Sequence, residues 1–370
     1  MTSESNGSIA IVGGRTGGHL FPALAVAESI KKMNDRLDIY WIGTADGMEA
    51  RIVPESGFEF HAIPAAPFSR SAMLKNLVLP FVLSAGTIRA LSLLRRHKTR
   101  TVFATGGFVC VPALAAASLR RMPIYMQEQN SFPGLTTRLF AKRARRLFAA
   151  YDSVGEYLDP GVEIVQTGNP LRPGFEVASR DDGVAHFGLD AHRKTLLVFG
   201  GSQGAEAINE QMDVSLERLA SRDDIQVIWQ TGKLPFDKYV ERFESSGVHG
   251  TILPFIAKME LAYAACDLAV CRAGAMTLAE LSAAGKPSLL VPYPFAAENH
   301  QEFNAKSFEK AGAAIMILQK NLNDNPIVDR ALDLLSNEKQ LLKMSDAARG
   351  LHKPGAADTI AEAIISEVTS

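Results

Sequence analysis

Three times in this chain an apolar run of strand length breaks on paired glycines and then turns helical. Ser8 to Val12 runs into Gly13-Gly14-Arg15-Thr16-Gly17-Gly18-His19, and Thr101 to Ala104 into Thr105-Gly106-Gly107-Phe108. Thr195 to Phe199 runs into Gly200-Gly201-Ser202-Gln203-Gly204. The start of a helix leaves backbone N–H groups unpaired and carries partial positive charge, so each such turn is built to face an anion. Strands this apolar are buried on both faces, which points to parallel α/β layers. The pattern restarts after the turn-rich segment Gly168-Asn169-Pro170-Leu171-Arg172-Pro173. A chain of 370 residues then reads as two α/β domains, residues 1–168 and 169–350, followed by a last helix over Ala356 to Val368.

Composition narrows the class. Thr101 to Leu119 carries no charge and nearly reaches membrane-spanning length, but Gly106-Gly107 splits it into strand and helix. Three cysteines, Cys110, Cys266 and Cys271, are too few for a disulfide framework and suit a reducing compartment. No zinc spacing occurs, and the polar N-terminus lacks the design of a signal peptide. The net charge of −1 hides an asymmetry: residues 1–168 hold 19 basic against 13 acidic side chains, and the remainder 20 against 27. The first half therefore suits an anionic partner, whether a phosphate-bearing substrate, a membrane surface or nucleic acid. No nucleic-acid-binding module is present.

The first glycine loop fits neither common nucleotide motif. A P-loop needs Lys-Ser/Thr after its last glycine, where His19-Leu20 stands. A dinucleotide fingerprint needs G-x-G-x-x-G and an acid closing the next strand, but Asp38 to Ile42 ends in Gly43-Thr44. His19 sits before a helix expected over Pro22 to Lys32, where the dipole favours a neutral imidazole. Such a ring can act as a general base, or it can simply cap or pack. The segment Pro67 to Lys98 sets Leu77 to Leu83 among Arg70, Lys75, Arg89, Arg95, Arg96 and Lys98. It reads either as a membrane-facing patch or as a core helix with a solvated end. Gly134 to Arg146 reads as a basic amphipathic helix.

Cys271 to Gln301 concentrates polar residues where strands end. The strand Leu268 to Val270 leads through Arg272-Ala273-Gly274 into a helix over Met276 to Ala284, stopped by Gly285 and Pro287. The strand Ser288 to Val291 leads into a loop ending Glu298-Asn299-His300-Gln301. Ligands of open α/β sheets bind at strand ends, so Arg272, Gly274, Glu280, His300 and Gln301 are expected near one crevice. Glu280 is placed to accept both hydroxyls of a ribose, as in the nucleotide half of a sugar-transfer site. The plainer alternative makes Glu280 a solvated helix residue and Arg272 a surface charge. No D-x-D, the usual metal–diphosphate carboxylate pair, occurs in the chain.

An ordered set of motifs carries a resemblance over nearly the whole chain. It comprises Gly14-x-Thr16-Gly17-Gly18-His19-x-Phe21-Pro22, Gly106-Gly107-Phe108, Glu128-Gln129-Asn130 and Gly168-Asn169-Pro170-x-Arg172. It continues with Gly200-Gly201-Ser202-Gln203-Gly204, Cys271-Arg272-x-Gly274-Ala275-x-Thr277 and Asn299-His300-Gln301. Together they resemble the bacterial family of lipid II-forming glycosyltransferases, family 28. The resemblance implies the GT-B architecture, two Rossmann-like domains facing across a cleft, with residues 351–370 returning to pack on the N-terminal domain. It implies an inverting transfer of N-acetylglucosamine from UDP-GlcNAc to the C4 hydroxyl of N-acetylmuramic acid in lipid I. No cofactor or bound metal is expected, since UDP-GlcNAc is a co-substrate.

The family's roles carry over by position. Thr16, Gly17, Gly18 and Asn130 would face the reaction centre and His19 would be the base. Arg172 and Ser202 would meet the diphosphate, Arg272 would be a further substrate-binding residue, and Ile256 would offer its backbone to the uracil. Ala275, Met276, Thr277, Leu278, Ala279 and Glu280 would cradle diphosphate and ribose, and Gln301 the donor sugar. Expected partners are UDP-GlcNAc, lipid I, the cytoplasmic face of the cell membrane as a peripheral docking surface, and other cell-wall synthesis proteins, but not nucleic acid. Arg15, Gln127 and Cys110 depart from residues common in the family (glycine, histidine and serine). Two alternatives stand beside this reading. One is a different GT-B enzyme, such as a glycolipid transferase or a UDP-GlcNAc 2-epimerase, for which Glu128 alone is thin acid support. The other is a regulator that binds the nucleotide sugar without turnover.

Overall fold

The computed structural model describes residues 7–369 except 69–72, 173, 176, 202, 297, 298 and 325. The chain divides into two compact units, Met1–Arg172 with Lys353–Ser370, and Pro173–His352. The first holds seven strands: β1 (Ser8–Val12), β2 (Asp38–Gly43), β3 (Glu59–Ala62), β4 (Thr99–Ala104), β5 (Ile124–Glu128), β6 (Arg146–Ala149) and β7 (Ile164–Gln166). They lie in the order β3-β2-β1-β4-β5-β6-β7, every pairing parallel. Successive residues of a strand face opposite sides, and here both sides are apolar. Ala10, Val12, Tyr40 and Val102 enter one core; Ile9, Ile11, Trp41 and Phe103 enter the other. The helix Ala356–Thr369 closes the second core against the helix Gly17–Met33, burying Ile360, Ile364 and Val368. It is pinned by Ser29 Oγ donating to Asp358 at 2.6 Å and Tyr125 Oη donating to Glu367 at 2.9 Å.

The second unit repeats the plan with β8 (Lys194–Phe199), β9 (Ile225–Gln230), β10 (Gly250–Leu253), β11 (Leu268–Cys271), β12 (Ser288–Leu290) and β13 (Ala314–Met316). Their order is β10-β9-β8-β11-β12-β13, again parallel throughout. Trp229, Tyr239 and Phe243 form the aromatic centre of its core.

Three segments differ from expectation. The first helix starts at Gly17, five residues earlier than expected, with Pro22 inside it. One turn in, the proline costs only the bond to the carbonyl of Gly18. The stretch after Gly134 is not one basic helix: a helix Leu135–Phe140 and a 3₁₀ turn Ala141–Arg143 give way to β6. Arg146, expected to close the helix, instead opens β6, whose Leu147, Phe148 and Ala149 are fully buried beside β5. The apolar segment before Lys98 is part core and part exposed. Its helix Leu79–Arg96 buries Gly86, Ala90, Leu93 and Leu94, while Phe68, Met73, Leu74, Leu77, Val78, Phe81 and Ile88 stand in solvent. Arg70 lies outside the described residues. Among the described residues no helix is long and apolar enough to cross a membrane.

Candidate active site

In the first unit the sheet order reverses between β1 and β4. Their following loops diverge and open a crevice at the C-terminal strand ends. His19, in the first turn of its helix, occupies it. Its Nδ1 lies 2.8 Å from the carbonyl oxygen of Thr105 and 3.1 Å from Gln129 Oε1. A carbonyl oxygen can only accept, so Nδ1 donates, and in the neutral tautomer that this selects Nε2 is the nitrogen with the lone pair. Gln129 Nε2 donates to the same carbonyl at 2.8 Å, which fixes its oxygen toward His19. The Thr105 hydroxyl donates to the His19 carbonyl at 2.7 Å. Gly106 and Gly107, both at left-handed φ, wall the ring: a Cβ on either would stand 3.3 or 3.2 Å from imidazole carbon. The N–H groups of Gly17 and Gly18 head the same helix, where no intrahelical acceptor is available.

A buried amide chain supports this arrangement. Gln127 Nε2 donates to Asn169 Oδ1 at 2.8 Å, Asn169 Nδ2 donates to the Gln129 carbonyl at 3.1 Å, and Gln129 donates to Gln127 Oε1. Glu128 is no loose acid. Its carboxylate accepts from the backbone and side chain of Asn130, each at 3.1 Å, from Gly134 N–H at 3.0 Å and from the Thr137 hydroxyl at 2.6 Å. It therefore positions Asn130. Arg15 takes the left-handed conformation that a glycine adopts without strain. Its side chain pairs with Asp46, holding that carboxyl below its usual range, and its N–H donates to buried Glu49 at 2.6 Å. Cys110 acts as a serine would, donating to the Gly106 carbonyl at 2.8 Å, and burial pushes its thiol up to about 12. Arg172, exposed, lies over the Phe21 ring at 4.8 Å.

In the second unit the order reverses between β8 and β11. The loop after β8 is a tight backbone turn: Gly204 N–H donates to the Gly201 carbonyl at 2.9 Å, and both glycines have left-handed φ. A Cβ on Gly204 would stand 2.0 Å from the Thr231 carbonyl oxygen. Gln230, at the end of β9, joins two neighbouring segments by donating to Gly201 O and accepting from Ile256 N–H, both at 2.8 Å. With its N–H taken, the backbone of Ile256 offers a ligand its carbonyl. After β11, extended Gly274 caps the helix Ala275–Ala284, and left-handed Gly285 ends it. The N–H groups of Ala275, Met276 and Thr277 have no partner within the helix, and Ala279 follows a half-turn on. Glu280 is half-buried and accepts from the Tyr263 hydroxyl at 3.0 Å. Burial, and then the carboxylate itself, push that phenol well above its ordinary value, so it stays a donor. Gln301 Oε1 accepts from Tyr293 N–H at 2.9 Å. Ser202 lies outside the described residues.

Residues 9–149 match the glycosyltransferase family 28 N-terminal domain and residues 195–360 its C-terminal domain. The chain belongs to glycosyltransferase family 28. It is 39% identical over 360 residues to a Halothermothrix orenii UDP-N-acetylglucosamine–N-acetylmuramyl-(pentapeptide) pyrophosphoryl-undecaprenol N-acetylglucosamine transferase, covering 95% of this chain and 96% of that one. A Salinibacter ruber protein of the same name is 39% identical over 358 residues, 97% and 96% of the two chains. The crystal structure of Acinetobacter baumannii MurG is similar at 27% identity and a TM-score of 0.76, over 97% of this chain and 99% of that one. A UDP-N-acetylglucosamine 2-epimerase, 16% identical with a TM-score of 0.65 over 97% and 95%, shares the fold alone.

This family 28 glycosyltransferase thus has two Rossmann-like parallel-sheet domains of the GT-B kind, each with its glycine loop at the switch point of its sheet. Two expected ligand contacts do not fit the geometry. Leu278 is fully buried and its N–H donates to Gly274 O at 3.0 Å, so it belongs to the core and the helix ladder. Arg272 is buried too. It donates to the carbonyls of Val291 and Pro292 at 3.1 and 3.2 Å and to Gln319 Oε1 at 2.7 Å, which makes it the brace of the loop after β12. Gln230 and Tyr263 escaped sequence reasoning. Gln230 carried one signal, as a polar residue closing an apolar strand. Tyr263 carried none.

Proposed function

We propose that this chain transfers N-acetylglucosamine from UDP-GlcNAc to the C4 hydroxyl of the N-acetylmuramic acid in undecaprenyl-pyrophosphoryl-MurNAc-pentapeptide, forming lipid II. The observation that carries the reading is the setting of His19: its Nδ1 is held by the Thr105 carbonyl and Gln129 Oε1, which leaves Nε2 as the ring nitrogen free to take a proton beside the glycine loop. The C4 oxygen attacks the anomeric carbon as the bond from that carbon to the β-phosphate oxygen breaks. The hydroxyl proton passes to His19 Nε2, UDP leaves, and the configuration inverts. The names of the relatives supply the donor and acceptor classes.

The unit bearing residues 173–352 holds the nucleotide. N–H groups of Ala275 to Thr277 and the turn Gly200 to Gly204 neutralise the departing diphosphate, Arg172 adds its charge, and no metal is required. Glu280 takes the ribose hydroxyls, the Ile256 carbonyl the uracil, and Gln301 the sugar. The exposed apolar face of the segment Phe68 to Ile88, with Arg89 beside it, rests on the anionic cytoplasmic leaflet where the lipid acceptor lies. Turnover assays of His19→Asn test the base. Asparagine keeps a donor for Thr105 but offers no basic nitrogen, so donor binding should persist while transfer collapses.

A further inference from the structure

On edge strand β3 and at the helix end that precedes β4, Glu59, His61 and His97 gather outside everything described so far. Glu59 and His61 alternate on edge strand β3, so they share one face, pinned by pairing with Tyr40 and Ile42. His97 follows the helix Leu79–Arg96 and is held by its N–H to Leu93 O at 2.9 Å and by Ser8 Oγ donating to its carbonyl at 2.7 Å. Its ring stacks on Tyr40 at 4.2 Å and lies 4.9 Å from that of His61. One donor atom from each of the three lies within 4.8 Å of the others.

Two features set this group apart from an ordinary ion pair. The Nε2 atoms of both histidines are buried and have no hydrogen-bond partner. Buried polar atoms are nearly always paired, and an ion is one standard reason for an orphan. His61 Nε2 also stands 3.0 Å from Glu59 Oε1, yet the two do not make a hydrogen bond. Two ligands of one cation show that relation: they sit close because both aim at a third point. With metal–donor bonds of about 2.0–2.2 Å, ligands of a tetrahedral ion lie roughly 3.3–3.5 Å apart, within small rotamer adjustments of this arrangement.

We infer that Glu59, His61 and His97 form a binding site for a divalent transition-metal ion of the zinc class, with water completing the shell. Two imidazoles and a carboxylate are a borderline donor set, suited to Zn²⁺ or Co²⁺ and poor for Mg²⁺. Their sequence separation hides the site from any spacing rule. The bound ion clips the edge strand to the end of the helix that carries the exposed apolar face. It takes no part in transfer.

The test uses the full chain without an affinity tag, stripped with chelator and titrated with ZnCl₂ by calorimetry and with CoCl₂ by visible absorption. One equivalent should bind, with the intense bands of a four-coordinate Co²⁺ site, and the melting temperature should rise. Glu59→Gln, His61→Asn and His97→Asn should each weaken Zn²⁺ binding at least ~10-fold with an unchanged circular dichroism spectrum. Glu59 is exposed, so its variant keeps the test decisive if a histidine variant misfolds. Binding below one-fifth of an equivalent, or one equivalent that persists in Glu59→Gln and both histidine variants, would overturn the site.

Discussion

The Nδ1 atom of His19 sits 2.8 Å from the carbonyl oxygen of Thr105, eighty-six residues away in sequence. That contact selects one of the two tautomers of the neutral ring, the one whose accepting nitrogen is Nε2. It depends on β1 and β4 being neighbours, since the loops that meet are those leaving these two strands. The chemistry of the N-terminal half follows from this juxtaposition.

Replacing His19 by alanine should lower kcat by about 10²–10⁴, the usual worth of a positioned general base. The KM for UDP-GlcNAc should change little, because the ring lies in the other unit from the nucleotide loops. Steady-state kinetics of purified variant against wild type make the comparison. A loss under tenfold would place the base elsewhere.

Gln129→Leu removes one of the two acceptors on Nδ1 while keeping side-chain volume. The ring should lose orientation more than basicity, so kcat should fall about tenfold, the equivalent of one hydrogen bond of ~1–1.5 kcal/mol. Gln129 is buried, so melting temperature should be followed in parallel. A fall in stability with kcat unchanged would make the residue purely structural.

Much of this arrangement was legible beforehand because it follows local rules. Glycine pairs ending apolar strands located both switch points, and Gly274, Gly285 and Pro287 bounded the donor helix to within a residue. What stayed hidden depends on which neighbours a side chain meets. Nothing local marks Arg272 as buried, and its three acceptors come from residues 291, 292 and 319. Leu278 looked like one more residue of a ligand-facing turn, though helical phase directs it into the core. The basic helix expected to run to Arg146 stops at Phe140, because Ala141–Arg143 turn and Arg146 opens β6, whose three-residue apolar centre its basic neighbours mask.

Glu280→Ala should raise the KM for UDP-GlcNAc by roughly 10- to 150-fold, corresponding to about 1.5–3 kcal/mol for hydrogen bonds to a charged group. Tyr263→Phe deletes only the donor behind the carboxylate. Its effect should have the same sign and be smaller, about 0.5–1.5 kcal/mol. Calorimetric titration with UDP separates ribose recognition from turnover. Equal UDP affinity in all three proteins would remove Glu280 from the ribose.

Gly204→Ala forces a side chain into a left-handed backbone and against the Thr231 carbonyl oxygen. The strain should cost at least ~1–3 kcal/mol of stability and distort the diphosphate turn. Leu278→Ala, a pure core truncation, should cost ~2–5 kcal/mol, with UDP affinity unchanged in the protein that remains folded. Urea denaturation with UDP titration distinguishes a turn that binds from a residue that only packs.

Phe81 and Leu74 are among the most exposed large apolar residues of the first unit, on the face assigned to the membrane. The double substitution Leu74→Glu with Phe81→Glu should leave the melting temperature within about 1 °C, since neither side chain is buried. Flotation with vesicles rich in anionic lipid should show lost binding, while transfer to a water-soluble acceptor analogue continues. Unchanged flotation would move the docking face elsewhere.

The most direct measurement is transfer of labelled N-acetylglucosamine from UDP-GlcNAc to a lipid I analogue by the purified chain in excess EDTA. Product carrying a β1→4-linked disaccharide, formed at an undiminished rate, is the predicted result and unites acceptor class, stereochemistry and metal independence. No transfer despite tight UDP-GlcNAc binding would leave the fold and the nucleotide site standing and contradict the assigned acceptor.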